Sequence, residues 1–151
     1  MPHKIPISTL VLVATPDLSV LLIERADAAG YWQSVTGSQE SGETLLATAT
    51  RELGEETGID AALYGGLRDC KTSTVYEIFP RWRHRYAPGT THNTEHVFAL
   101  EVPAPVPVRL EPREHRAYAW LPLKEAAEKC FSWSNRDALL RLAQDAALRR
   151  E

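Results

Sequence analysis

Cysteine is almost missing from this chain: Cys70 and Cys130 are the only two, they sit in unrelated segments, and neither belongs to a Cys-x-x-Cys or other metal-ligand spacing. Reduced thiols are therefore expected rather than a disulfide. Long apolar runs are missing too. No stretch approaches the roughly 20 residues of a membrane-spanning helix, and the opening MPHKIPIS lacks the apolar segment of a secretory signal, so a cytoplasmic protein with no membrane partner is expected. Nor is there an excess of positive charge. Seventeen Lys and Arg against 20 Asp and Glu give a net charge of −3, which offers no overall attraction for nucleic acid. Nothing points to an obligate protein partner.

What the chain does have is enough apolar material for one core: 44% hydrophobic and 25% charged residues in a length of 151 fit a single domain spanning residues 1–151. IPISTLVLVA and SVLLIER are apolar, β-branched runs parted by Pro16 and Asp17, which reads as two strands and a turn. YWQSV reads as a short strand, CKTSTVYEIF and TEHVFALEV as two more, and AYAW as another after the proline-rich VPAPVPV connection. PLKEAAEKC and SNRDALLRLAQDAALRR have helical composition, with Ser134 and Asp137 resembling an N-terminal cap. The class is α/β.

The most informative stretch is Gly37–Ile59, GSQESGETLLATATRELGEETGI. From Thr44 it reads as a helix, with Leu46, Ala49 and Leu53 as the buried stripe and Gly58 as its stop. Glu52, Glu55 and Glu56 then fall at i, i+3 and i+4, so three carboxylates share one face of the last turns. The carbonyl end of a helix repels acids, at about 0.3–1 kcal/mol each. Only Arg51 is near enough along the helix to offset Glu55. A hard divalent cation would turn this repulsion into coordination and would also bind phosphate oxygens. A few glutamates in a row usually mean a solvated helix face, but here Gly37, Glu43 and Arg51 stand at fixed distances before them.

The whole pattern resembles the Nudix box: glycine, five residues, Glu, seven residues, Arg-Glu, an aliphatic residue, any residue, Glu-Glu, any residue, Gly and an aliphatic residue. All nine specified positions match. The resemblance implies an α/β/α sandwich with a mixed central sheet. It implies Glu52, Glu55 and Glu56 as ligands of Mg²⁺, with Mn²⁺ as a substitute, and Glu43 with Arg51 as an ion pair tying the loop to the helix. Gly37 is expected to permit a tight turn before that helix. Glu114, in REHRAYAW, is the best acid outside the box for a further metal ligand or general base, with His115 beside it expected to be structural.

Three further segments, WQSVTGS, RHRYAPGTTHNTE and SWSNR, resemble the Nudix branch that hydrolyses dihydroneopterin triphosphate, a folate-pathway activity. This implies a small-molecule triphosphate as substrate, yielding the monophosphate and pyrophosphate. WRHRY interleaves cations with rings, which suits phosphate contact and stacking, and makes Arg83, His84, Arg85 and Tyr86 candidate substrate contacts. Lys4 and Arg25 are candidates for the phosphate tail, Trp32 in the WQSVTGS segment is a further substrate contact, and Trp133 and Asn135 are candidates to shape the base pocket. Alternative readings are a broader nucleotide pyrophosphohydrolase acting on dATP or oxidised purine nucleotides, a nucleotide-sensing module without catalysis and, ranked lower, a single-stranded nucleic-acid binder.

Overall fold

The computed structural model describes residues 3–150; Met1, Pro2 and Glu151, at the ends of the expected 1–151 domain, lie outside the described residues. The strands are β1 (Ile7–Ala14), β2 (Ser19–Arg25), β3 (Trp32–Gln33), β4 (Val35–Ser38), β5 (Arg68–Glu77), β6 (His92–Glu101) and β7 (His115–Pro122). The helices are α1 (Leu45–Thr57), α2 (Leu123–Lys129) and α3 (Trp133–Arg150), with 3₁₀ turns at Ala61–Tyr64 and Pro80–Arg85. One sheet holds every strand, in the order β3-β2-β1-β6-β5, with β4 beside β1 and β7 beside β2. β1 and β6 run parallel and the other pairs are antiparallel, so the sheet is mixed.

The central strand β1 is apolar on both faces because both are covered. Leu10, Leu12 and Ala14 pack with Leu123, Ala126 and Ala127 of α2 and Leu139 and Leu142 of α3. Val11 and Val13 face the other way, onto Ala49 and Leu53 of α1. The result is the expected α/β/α sandwich.

Helix α1 starts where Thr44 accepts a hydrogen bond from the Ala47 N–H (3.1 Å) and stops at Gly58, whose φ of +75° a residue with a Cβ adopts only at a cost. Its buried stripe differs from the expected one. Leu46 is 50% exposed, and Leu45 takes the place against the core beside Ala49 and Leu53. Adjacent leucines lie 100° apart on a helix, and the docking angle of α1 selects the first. Helix α3 also begins earlier than expected. Ser132 supplies its cap, accepting from the Asn135 N–H through Oγ (3.4 Å) and from the Arg136 N–H through its carbonyl (3.1 Å). Ser134 is buried and faces the sheet, and Asp137 pairs with Arg136.

One topological detail positions the site. β1 gives one edge to β6 and divides the other, its first half pairing β4 from Ser8↔Ser38 to Val11↔Val35 and its last residue pairing β2 at Ala14↔Val20. β2 continues with β3 and β7, so the sheet parts between β4 and the β2–β3–β7 group. A cavity of about 870 Å³ is lined from both sides of this split.

Candidate active site

The box residues form one wall of the cavity. Arg51 is its hub: Nε donates to Glu43 (2.7 Å), Nη1 to Glu52 (2.7 Å) and Glu55 (3.3 Å), and Nη2 to Glu43 (2.9 Å) and the Ser38 carbonyl (3.1 Å). The loop after β4 is thereby tied to α1. The Arg51 hydrogen bonds hold the Glu43 carboxyl down at about 2, and the same contacts raise the Arg51 guanidinium above its ordinary value. Burial pushes Glu52 the other way, up to about 7, against the pull of Arg51 and with the charges of Glu56 and Glu55 adding to the rise.

Gly37 is needed for a reason other than a turn. It lies within β4, opposite Thr9, and a Cβ there would stand 2.0 Å from Cδ of Glu52. The Glu52 carboxylate fills the space a side chain would take.

Glu56 is buried, and its Oε2 lies 2.6 Å from Nδ1 of His115, also buried, while Nε2 of that ring is 3.2 Å from Nε2 of Gln33. Glu56 Oε2 and His115 Nδ1 lack an aligned hydrogen bond despite their separation, which leaves a buried carboxylate oxygen with unspent acceptor capacity. Among the described residues no three acidic, His or Cys side chains already converge as a metal site. Even so, the oxygen donors of Glu52, Glu55, Glu56 and Glu114 all line one cavity, and an all-carboxylate donor set with an unsatisfied Glu56 oxygen fits a hard divalent cation.

Facing the acids is a cationic group. Lys4, Arg25 and Arg85 line the cavity, and burial followed by repulsion from Arg85 lowers the Lys4 ammonium to about 8. Arg25 is forked onto Asp27 (2.8 Å twice) and lies 4.3 Å from the Trp82 ring centre. That fork, first among its causes, lowers Asp27 to about 2. Aromatic side chains close the far end: Phe79, Trp82, Phe131 and Trp133 line the cavity, and Trp133 is 49% exposed there.

Of the substrate contacts expected from sequence, Lys4, Arg25, Arg85, Tyr86, Trp133 and Asn135 line the cavity, whereas Trp32, Arg83 and His84 do not. Trp32 and Gln33 project to opposite faces of β3; Gln33 lines the cavity and Trp32 packs with the α2–α3 core under Lys129. Arg83 is occupied by Glu77 (3.1 Å) and the Ile78 carbonyl (2.9 Å). Asn135 is spent on Ser34, accepting from its N–H (2.8 Å) and donating to its Oγ (3.0 Å), so it braces the cavity wall. His115, expected to be structural, lines the cavity too, as do Gln33, Glu95, Phe79, Trp82 and Phe131, none of which was among the expected contacts. Cys70 and Cys130 form no disulfide, and burial pushes the Cys130 thiol up to about 12.

Glu95 has a measurable consequence. Burial pushes its carboxyl from 4.5 up to about 7, opposed only by the Ser134 hydroxyl. Folding thus favours its protonated form, a contribution present in full below pH 4.5 and lost as pH rises through about 7. Asp27 and Glu43 act oppositely, stabilising above their ordinary values and losing that effect as pH falls towards 2. In chelator, the melting temperature is expected to fall between pH 4.5 and 7, with the raised Glu52 contributing in the same window, and Glu95→Gln to remove part of that fall. An unchanged slope in the variant would contradict it.

Fold, box and cavity together define a member of the Nudix family, and the chain belongs to it: the NUDIX domain model matches residues 4–142. Within the family, the chain is 44% identical over 147 residues to the dihydroneopterin triphosphate diphosphatase of Escherichia coli (strain K12), covering 96% of this chain and 97% of that protein. It is 42% identical over 142 residues to the protein of the same name from Haemophilus influenzae, covering 92% and 88%. The solved structure of the E. coli dihydroneopterin triphosphate pyrophosphohydrolase superposes with a TM-score of 0.88 at 43% identity, over 93% of this chain and 97% of that one. No helix among the described residues is long and apolar enough to cross a membrane.

Proposed function

We propose that the chain, acting as one domain in the cytoplasm, hydrolyses dihydroneopterin triphosphate to dihydroneopterin monophosphate and pyrophosphate, a step of folate biosynthesis. The observation that carries this is the cavity in which Glu52, Glu55, Glu56 and Glu114 meet a cationic group and an aromatic end. Its volume suits a ligand of nucleotide size. The similarity to the two diphosphatases over nearly their whole length supports the same substrate.

Glu52, Glu55, Glu56 and Glu114 would hold Mg²⁺, or Mn²⁺ in its place. When bound, the ion supplies Lewis acidity, lowers the pKa of water and neutralises charge on the phosphates. Lys4 and Arg85 bind the triphosphate oxygens by charge-assisted hydrogen bonds, and the aromatic end receives the ring. Arg51 fixes the Glu52 and Glu55 carboxylates, and the buried His115 ring stands against Glu56. A water oxygen attacks phosphorus, and an exposed carboxylate oxygen of Glu114 takes the proton. The anhydride bond between the α and β phosphorus atoms breaks, and its electron pair leaves with an oxygen. No covalent enzyme intermediate is needed.

Pyrophosphate release from dihydroneopterin triphosphate and from dATP, under identical conditions with Mg²⁺, tests the assignment. A higher kcat/KM for the pterin is expected. Equal or greater efficiency with dATP would favour the broader nucleotide pyrophosphohydrolase, and no release from any triphosphate of a panel would favour the sensing module.

A further inference from the structure

The α2–α3 face of the sheet is apolar along Leu10, Leu12, Val97 and Ala99 but changes character towards the start of β1 and β6. There Ser8, Asn93 and Glu95 are all buried, and Asn93 donates to Ser8 Oγ (2.7 Å) and to Tyr76 Oη (3.0 Å). Glu95 is 4% exposed, takes the Ser134 hydroxyl as one partner, and leaves Oε1 buried with no partner among the described residues. Glu95, Ser8, Tyr76, Phe79 and Trp133 all line the cavity. An orphaned acidic oxygen at such a depth costs free energy unless something donates to it.

The sheet register sets its distance from the box. Ser8 is the partner of Ser38 on β4 and of Glu95 on β6, so the three stand in one row across the sheet, two strand spacings or about 10 Å from end to end. A ring held at Glu95 would leave its side chain and phosphates running towards Ser38 and the carboxylates of α1.

We infer that Glu95 is the specificity-determining residue for the substrate's heterocycle, its carboxylate accepting the ring N3–H and the adjacent 2-amino group of the pterin while Phe79 and Trp133 flank the ring. This rests on the proposed function. A 2-amino-4-oxo-pyrimidine ring presents those two donors side by side, the arrangement a carboxylate accepts as a fork. Adenine presents a ring nitrogen lone pair beside its amino group, and that lone pair faces the carboxylate unfavourably. Glu95 therefore selects pterin and guanine-type rings over adenine, by a group that no box residue supplies.

The test is kcat/KM for dihydroneopterin triphosphate and for dATP in the wild type and in Glu95→Gln, which keeps the shape but places an N–H₂ where an acceptor stood. Loss of one charge-assisted contact predicts a fall of about 10- to 100-fold in the pterin-to-dATP ratio. An equal loss for both substrates, or an unchanged ratio, would overturn the inference. Binding of neopterin and of its N3-methyl derivative to the unmodified protein gives a second reading that needs no variant. Weaker binding of the methylated ring is expected, and equal binding would overturn the inference. If the wild type releases no pyrophosphate from dihydroneopterin triphosphate, the proposed function fails, while the neopterin comparison still decides the role of Glu95.

Discussion

Glu56→Gln is expected to lower kcat by about two to four orders of magnitude while leaving the fold intact, and Glu55→Gln to act in the same direction. Glu56 combines two properties that an amide does not reproduce. It is buried, so its negative charge acts in a weakly screening environment, and one of its oxygens lacks an aligned partner among the described residues. Gln has the same volume, so the core around Leu53 should hold; circular dichroism and melting temperature check that independently. Glu55 differs in being largely exposed at the cavity, where it pairs with Arg51 (3.3 Å). Its loss should therefore cost no stability. Near-normal turnover in both variants would remove the catalytic role from this helix face.

Arg51→Ala should be nearly as damaging, by a different route. Arg51 never needs to touch substrate in this scheme, yet it bonds Glu43, Glu52, Glu55 and the Ser38 carbonyl, which joins the loop after β4 to α1. Without it, Glu43 and Glu52 lose their cation, and Glu52, already raised by burial, binds a proton more readily. A displacement of about 1 Å in a carboxylate can cost on the order of a hundredfold in rate, and that is the loss expected in kcat. Arg51→Lys keeps the charge but lacks the fork that serves four partners, so it should recover only part of the activity. The melting temperature should drop in Arg51→Ala, unlike Glu55→Gln. Activity within threefold of wild type in Arg51→Ala would show the hub to be dispensable.

These contrasts show why some of the site was legible in the sequence and some was not. The acidic face of α1 was legible because helix geometry alone places residues 52, 55 and 56 together, and the ion pair of Arg51 with Glu43 followed from the box spacing. The role of Gly37 was not, because it depends on Glu52 arriving from another element to within 2.0 Å of a would-be Cβ. In WRHRY, the 3₁₀ turn at Pro80–Arg85 repeats every three residues, so Trp82 and Arg85 reach the cavity with Phe79 before them, while Arg83 and His84 point elsewhere. Read as an irregular loop, the segment gave no basis for choosing among them. Strand alternation likewise exchanged Trp32 for Gln33. Glu95 was hidden for a deeper reason: nothing in TEHVF tells that its glutamate is buried until β6 pairs with β1 and α3 covers that face.

In the proposed function, carboxylates at the C-terminal end of α1 are held for a cation that joins them to the triphosphate. Titration calorimetry of Mg²⁺ into the wild type and Glu56→Gln, each saturated with a non-hydrolysable triphosphate analogue, measures this directly. Mg²⁺ uptake by the wild type and a binding constant at least about tenfold weaker in the variant are expected. Equal uptake by both proteins, or none by either, would contradict it.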